Sequence, residues 1–282
     1  MRLTPCYQLL KQTVDEYSKD KVPQLGAALA FYSMLSIGPL LLLALSAAGL
    51  VFDHDVAQGK IIDEIRVLVG EGGATAIQDM LQSAAKNEQA GIIATVFGIV
   101  TLLIGASGVF GQLQDAMNII WNVPPKHHQG LWGIIKARFL SFSMVLGTSF
   151  LLLVSLVVST ALAAMGTYSS AFFSGFAVLL PIIDFVVNGA VVTLLFALVF
   201  KLIPDVKVEW RDVWVGAILT ALLFIIGKSA IGLYLGRSGF SSSYGAAGSL
   251  VVILLWVYYS AQILFFGAEF TQVYSRRKAL KS

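Results

Sequence analysis

Four stretches of this 282-residue chain contain no Asp, Glu, Lys or Arg: Leu25 to Phe52, Ala90 to Gln114, Phe139 to Ile183 and Ser238 to Ala268. Each is long enough to cross a hydrocarbon layer about 30 Å thick, which takes about 20 residues of helix at about 1.5 Å rise. Charged residues make up only 12% of the chain and apolar residues 57%, against roughly 25% charge in ordinary soluble domains. Since backbone polar groups must be satisfied internally in lipid, such runs fold as helices. The pattern predicts an all-α, polytopic membrane protein forming a single membrane domain over residues 1–282. Six transmembrane helices are expected, at residues 25–52, 90–110, 139–165, 179–203, 213–236 and 246–270. The third and fourth are divided at the Gly, Ser, Thr and Tyr residues of Gly166 to Gly175, because the run is too long for one crossing.

The basic residues orient this arrangement. With the N-terminus cytoplasmic, fourteen Lys and Arg residues fall on that side, and only Lys60, Arg66, Lys86 and Arg237 fall opposite. Lys228 stays within a span. By the positive-inside rule both termini of this multi-pass chain are expected to face the cytoplasm. The net charge of +3 follows from this orientation and requires no nucleic-acid surface. Cys6 is the only cysteine, so no intrachain disulfide forms. The first 24 residues are polar and the following run exceeds a signal-peptide core, so the first span is expected to be retained.

Between the spans lie amphipathic segments. Tyr7, Leu10, Val14 and Tyr17 recur at helical spacing, which predicts an interfacial helix within residues 1–24 with Lys11, Lys19 and Lys21 near headgroups. Residues 53–89 place Ile61, Ile62, Ile65, Leu68 and Val69 on one face and Ala76, Ile77, Met80, Leu81 and Ala84 on another. Gly70 to Gly73 separate them, predicting a periplasmic helical hairpin that caps the outer side. After the second span Asp115, Asn118 and Asn122 form a polar stripe before Pro124 and Pro125 stop the helix. That stripe lines an inner vestibule or is the wet face of an interfacial helix. Residues 271–282 form a basic cytoplasmic tail.

Catalytic constellations are absent from the pattern. His54, His127 and His128 belong to no H-x-H, H-E-x-x-H or C-x-x-C arrangement, so no metal site, cofactor or catalytic residue is assigned. There is no G-x-x-x-x-G-K-[ST] loop. Gly105, Gly108 and Gly111 are spaced three apart on one helical face with no strand before them. They read as helix-packing positions, as do Gly26, Gly245 and Gly248.

Polar residues within apolar spans are the functional candidates. Gln262 lies near mid-depth in the last span, where an unpartnered amide would cost several kcal/mol, roughly. Glu269, seven residues on, is expected at the inner interface as a solvated carboxylate. Gln24, Tyr32, Ser33 and Ser36 give the first span a polar side, and with Asp115, Asn118 and Gln262 they form the candidate cavity lining. Asp184 and Lys228 are each 22 residues from Val206 and are expected at matching depth as an intramembrane ion pair.

The runs QLGAALAFYSMLSIGPLLLL, KLIPDVKVEWRDVWVGAILTALLF and SSYGAAGSLVVILLWVYYSAQILFFGAEFTQVY resemble the YihY/BrkB family of bacterial inner-membrane proteins. The resemblance implies six membrane helices, association with the envelope and, in some relatives, movement of lipids or lipid-like precursors. The family has carried the label of ribonuclease BN, for which these residues offer no zinc ligands and no soluble catalytic domain. The expected function is non-enzymatic: an inner-membrane transporter or flippase-like protein for a lipid or amphiphilic small molecule. The alternatives are a non-transporting scaffold for envelope assembly and, more distantly, a ribonuclease. The expected partners are membrane lipids and either a second copy of the chain or an envelope protein, with no nucleic acid.

Overall fold

The computed structural model describes residues 5–49, 58–59, 62–63, 74–75, 78, 108–124, 176–237 and 248–280, and among them there is no strand. The helices are α1 (Pro5–Lys19) and α2 (Val22–Gly49), α3 (residues 108–120), and α4 (Phe176–Leu202), α5 (Trp210–Arg237) and α6 (Gly248–Ala279). Among the described residues three helical stretches, Phe185–Leu202, Trp210–Lys228 and Leu250–Ala279, are long and apolar enough to cross a membrane. The 28 residues of α2 give it a length of about 42 Å. The expected spans at 90–110 and 139–165 and the hairpin at 53–89 lie outside the described residues, apart from isolated helical positions.

Helix ends follow local chemistry. Lys21 (φ 53°) turns the chain between α1 and α2, and Asn122 (φ 52°) ends α3 in the left-handed conformation that asparagine tolerates. The Val123 N–H bonds to the Asn118 carbonyl at 2.8 Å and the Asn122 N–H to the Ile119 carbonyl at 2.9 Å. This capping pair stops α3 before Pro124 is reached. No glycine or proline interrupts Thr271 to Ala279, so α6 continues beyond the span end expected at residue 270.

The chain divides into two units, Met1–Thr13 with Met117–Ile225 and Gly267–Ser282, and Val14–Ala116 with Ile226–Phe266. In the first, Phe196 of α4 meets Phe224 of α5 edge to face at 5.7 Å. Helices α5 and α6 interlock there through two Gly-x-x-x-Thr sequences. Thr220 donates to its own helix at the Gly216 carbonyl (2.7 Å), and Thr271 donates to the Gly267 carbonyl (2.6 Å). With both hydroxyls satisfied internally, each threonine packs on the other helix's glycine. A Cβ added at Gly216 would lie 2.9 Å from Thr271 Cβ, and one at Gly267 would lie 2.9 Å from Thr220 Cβ. At this level α6 is buried at every position from Gly267 to Val273.

In the second unit a Cβ at Gly227 of α5 would meet Tyr259 Oη at 2.7 Å and Ile263 Cδ1 at 2.8 Å. Gly108 of α3 lies against Tyr32 of α2, whose Cδ1 would be 2.6 Å from an added Cβ. The face of α5 turned away from these contacts exposes Trp210, Trp214, Ile218, Leu222 and Ile226 at spacings of four, with Tyr234 beyond. In the first unit the stripe from Trp210 to Leu222 rises about 18 Å, with indoles at one end and aliphatic side chains beyond, the order found at a membrane interface.

Overpacking a close helix crossing costs about 1–3 kcal/mol. Gly216→Ala and Gly267→Ala should each lower the thermal unfolding midpoint of the detergent-purified protein. Gly189→Ala, where no atom lies within 4 Å of the added Cβ, should leave it unchanged or raise it slightly through helix propensity. Equal behaviour of the three variants would refute the interlock.

Candidate functional site

Gln262 of α6 is the centre of a small polar node built from three helices. The Tyr17 hydroxyl of α1 donates to Gln262 Oε1, and the Tyr17 ring meets Phe266 edge to face at 6.1 Å. The amide leans on Gly26 of α2, where an added Cβ would stand 3.1 Å from Gln262 Cδ and closer still to Nε2. Glycine is required there because the amide occupies the space a side chain would fill. Burial, and secondarily Tyr258, pushes the Tyr17 phenol above its ordinary pKa. It therefore stays protonated, and able to donate, across the physiological range. Gln262 Nε2 is buried and has no hydrogen-bond partner.

The remaining candidates are distributed differently. Ser36 is buried, but its hydroxyl donates to the Ser33 carbonyl at 3.0 Å within α2. Ser33 is half-buried, Gln24 is exposed, and the Tyr32 ring covers Gly108. Asp115 is exposed on α3, with partial burial raising its carboxyl pKa. Asn118 is half-buried and pins the α4–α5 loop. Its Nδ2 donates to Asp205 Oδ2 at 3.2 Å and its Oδ1 accepts from the Asp205 N–H at 2.8 Å. Lys228 is half-buried, while the Asp184 side chain, and hence the expected pair, lies outside the described residues. Gly105 and Gly245 lie outside them as well. Gly248 opens α6, and an added Cβ at Gly111 meets nothing within 4 Å.

Glu269 corrects the expectation of a solvated interface group: it is 1% exposed. Every α6 position from Gly267 to Val273 is buried, so this side chain, about 200° around the helix from Gly267 and Thr271, is covered by the protein on the face opposite the α5 crossing. Gln272 is buried beside it in sequence, and its Oε1 has no hydrogen-bond partner. Below them, Lys278 bridges Glu209 (2.9 Å) and Asp212 (2.8 Å), and Arg277 donates to Gln12 Oε1 (2.7 Å) and the Gln8 carbonyl (2.9 Å). Sequence reasoning passed over Gly216, Gly227 and Gly267, although the repeated Gly-x-x-x-Thr spacing at 216–220 and 267–271 was a usable signal. Among the described residues no group of three or more His, Cys, Asp or Glu could hold a metal.

The comparison with known families covers nearly all of this framework: the family described as virulence factor BrkB matches residues 13–282. The chain belongs to the BrkB family. A UPF0761 membrane protein of Rhodospirillum centenum is 26% identical over 96% of this chain and 58% of its own length. One of Mannheimia succiniciproducens is 27% identical over 94% of this chain and 89% of its own. A Bacillus subtilis protein, YfkH, whose name calls it ribonuclease-like, is 22% identical over 96% of each. The chain thus spans little more than half of the Rhodospirillum relative and most of the other two. No solved structure matches it. Membership in BrkB, together with the three apolar helices, makes this a membrane protein.

Removing the donor with Tyr17→Phe leaves a partly buried acceptor unmet, at a cost of about 1 kcal/mol, and should lower the unfolding midpoint. In a double-mutant cycle with Gln262→Leu, the two losses should be less than additive. Gly26→Ala should destabilise in the wild-type background and be tolerated in Gln262→Ala, which opens the space. Full additivity in the cycle, or no rescue of Gly26→Ala, would show the node to be uncoupled.

Proposed function

We infer that this BrkB-family protein moves a lipid or other amphiphilic small molecule across the bacterial inner membrane without catalysing a covalent reaction. The observation that carries the reading is the Gln262 amide, whose buried Nε2 has no partner on a helix apolar enough to span the membrane. Such a group costs free energy in hydrocarbon and is a functional candidate by default. Its two N–H donors suit the oxygen-rich polar part of an amphiphile, which would replace the missing partner during passage. The six-span arrangement with both termini cytoplasmic belongs to the same reading, supported by the fourteen-to-four distribution of basic residues. Energy would come from the substrate's own gradient, an ion gradient or a partner protein, since the sequence has no nucleotide-binding loop.

A non-transporting scaffold is the second reading, and the α5–α6 interlock favours it, because close glycine–threonine packing suits a rigid body. Reconstitution separates the two. Liposomes containing the full chain and a fluorescently labelled phospholipid should lose inner-leaflet protection faster than protein-free liposomes. Gln262→Ala should reduce that acceleration about tenfold or more while eluting and unfolding as a folded protein. No acceleration by the wild type with any of a panel of zwitterionic, anionic and polyprenyl-phosphate lipids would sink transport and leave the scaffold. RNA cleavage by the purified chain, lost in His127→Ala or His128→Ala, would instead establish the ribonuclease suggested by the name of the Bacillus relative.

A further inference from the structure

The turn between α4 and α5 carries an unbalanced charge pattern. Three acids lie in it, and each is engaged by the protein: Asp205 by Asn118, and Glu209 and Asp212 by Lys278. Three cations lie in it too, Lys201, Lys207 and Arg211, and none has a carboxylate within 4.0 Å among the described residues. Lys201 is half-buried, yet it is held only by the Val208 carbonyl and by the face of Trp210, 5.5 Å from the ring centroid. Lys207 and Arg211 are exposed.

The same turn bears an aromatic shelf. Trp210 and Trp214 are exposed with ring centroids 6.4 Å apart and planes inclined at 32°. Next along α5, on the same face, come the exposed Ile218 and Leu222, and Leu202 and Val206 are exposed at the head of the turn. Cations above indoles above an aliphatic stripe reproduce the order of phosphate, glycerol and acyl chain in a phospholipid. From Trp214 to Leu222 the helix rises about 12 Å, enough to seat much of an acyl chain.

We propose that the α4–α5 turn is a binding site for one anionic phospholipid of the surrounding bilayer. Lys201, Lys207 and Arg211 contact its phosphate, and its chain lies along Trp214, Ile218 and Leu222. Charge complementarity selects this occupant over a neutral lipid, because none of the three cations has a carboxylate within 4.0 Å among the described residues and Glu209 and Asp212 are bound by Lys278. It also selects lipid over a second protein, because the exposed face below the cations is a narrow aliphatic stripe with no polar group to specify a partner. The site holds whether or not the chain transports anything.

Delipidated full-length protein in detergent, mixed with phosphatidylglycerol or phosphatidylcholine of matched acyl chains, tests this by native mass spectrometry. The wild type should retain phosphatidylglycerol at least tenfold better. A cation near an anionic lipid surface is worth about a fivefold change in affinity, so Lys201→Gln/Lys207→Gln/Arg211→Gln should erase the preference. Lys207→Gln/Arg211→Gln, which alters only exposed positions, should reduce it at least fivefold while leaving elution and helicity unchanged. Lys11→Gln/Lys21→Gln, which removes two other exposed cations, should preserve it. Equal retention of the two lipids by the wild type would overturn the proposal. Undiminished preference in the turn variants, or an equal loss in the Lys11/Lys21 control, would do the same.

Discussion

The close approach of α5 and α6 is the contact on which the first unit depends. Between lipid-soluble helices there is little hydrophobic drive to associate, since acyl chains are as apolar as leucine, so packing and shape must hold them together. Gly216 and Gly267 remove side chains where the helices meet, and Thr271 and Thr220 fill the gaps. The threonine hydroxyls return to their own helices, leaving no polar group to be desolvated at the crossing. Small residue against β-branched residue is a stiff pairing, because threonine has few rotamers to lose.

The burial of α6 from Gly267 to Val273 sets the environment of its polar residues there. A helix packed on all sides can bury Glu269 and Gln272, which a lipid-facing helix could not do at tolerable cost. At its C-terminal end the helix is held by charge instead of shape, through Lys278 to Glu209 and Asp212 and through Arg277 to α1. These links lie where water is available and are individually weak, although the Asp212 side chain is 3% exposed and depends on its cation. In the second unit the Tyr17–Gln262 bond uses neither charge nor a glycine–threonine crossing. It ties α1 to α6 by one neutral hydrogen bond and leaves the amide nitrogen over Gly26 unmet.

An unmet polar atom and a set of cations without nearby carboxylates are different kinds of incompleteness. Gln262 Nε2 is a buried donor lacking an acceptor, which favours a transient polar ligand. Lys201, Lys207 and Arg211 have no carboxylate within 4.0 Å among the described residues, and the proposed resident lipid would supply the counter-charge. The BrkB family relationship covers both regions but assigns a role to neither.

The sequence by itself determined the membrane class and the helical architecture and singled out Gln262 as a polar candidate, because charge-free runs and an amide among apolar residues are local facts with one-dimensional signatures. It also located Gly26 and Gly108 as close-packing positions, though not what would press on them. Tyr17 was legible only as one of four apolar residues on an amphipathic helix. The tertiary structure turns it inward to Gln262 and leaves Tyr7, Leu10 and Val14 outside. Glu269 was misread because its depth along the helix was counted and its surroundings could not be. Burial depends on which helices flank a residue, and flanking is a property of residues far apart in the chain, such as Gly216 and Thr271, that meet only when the helices cross.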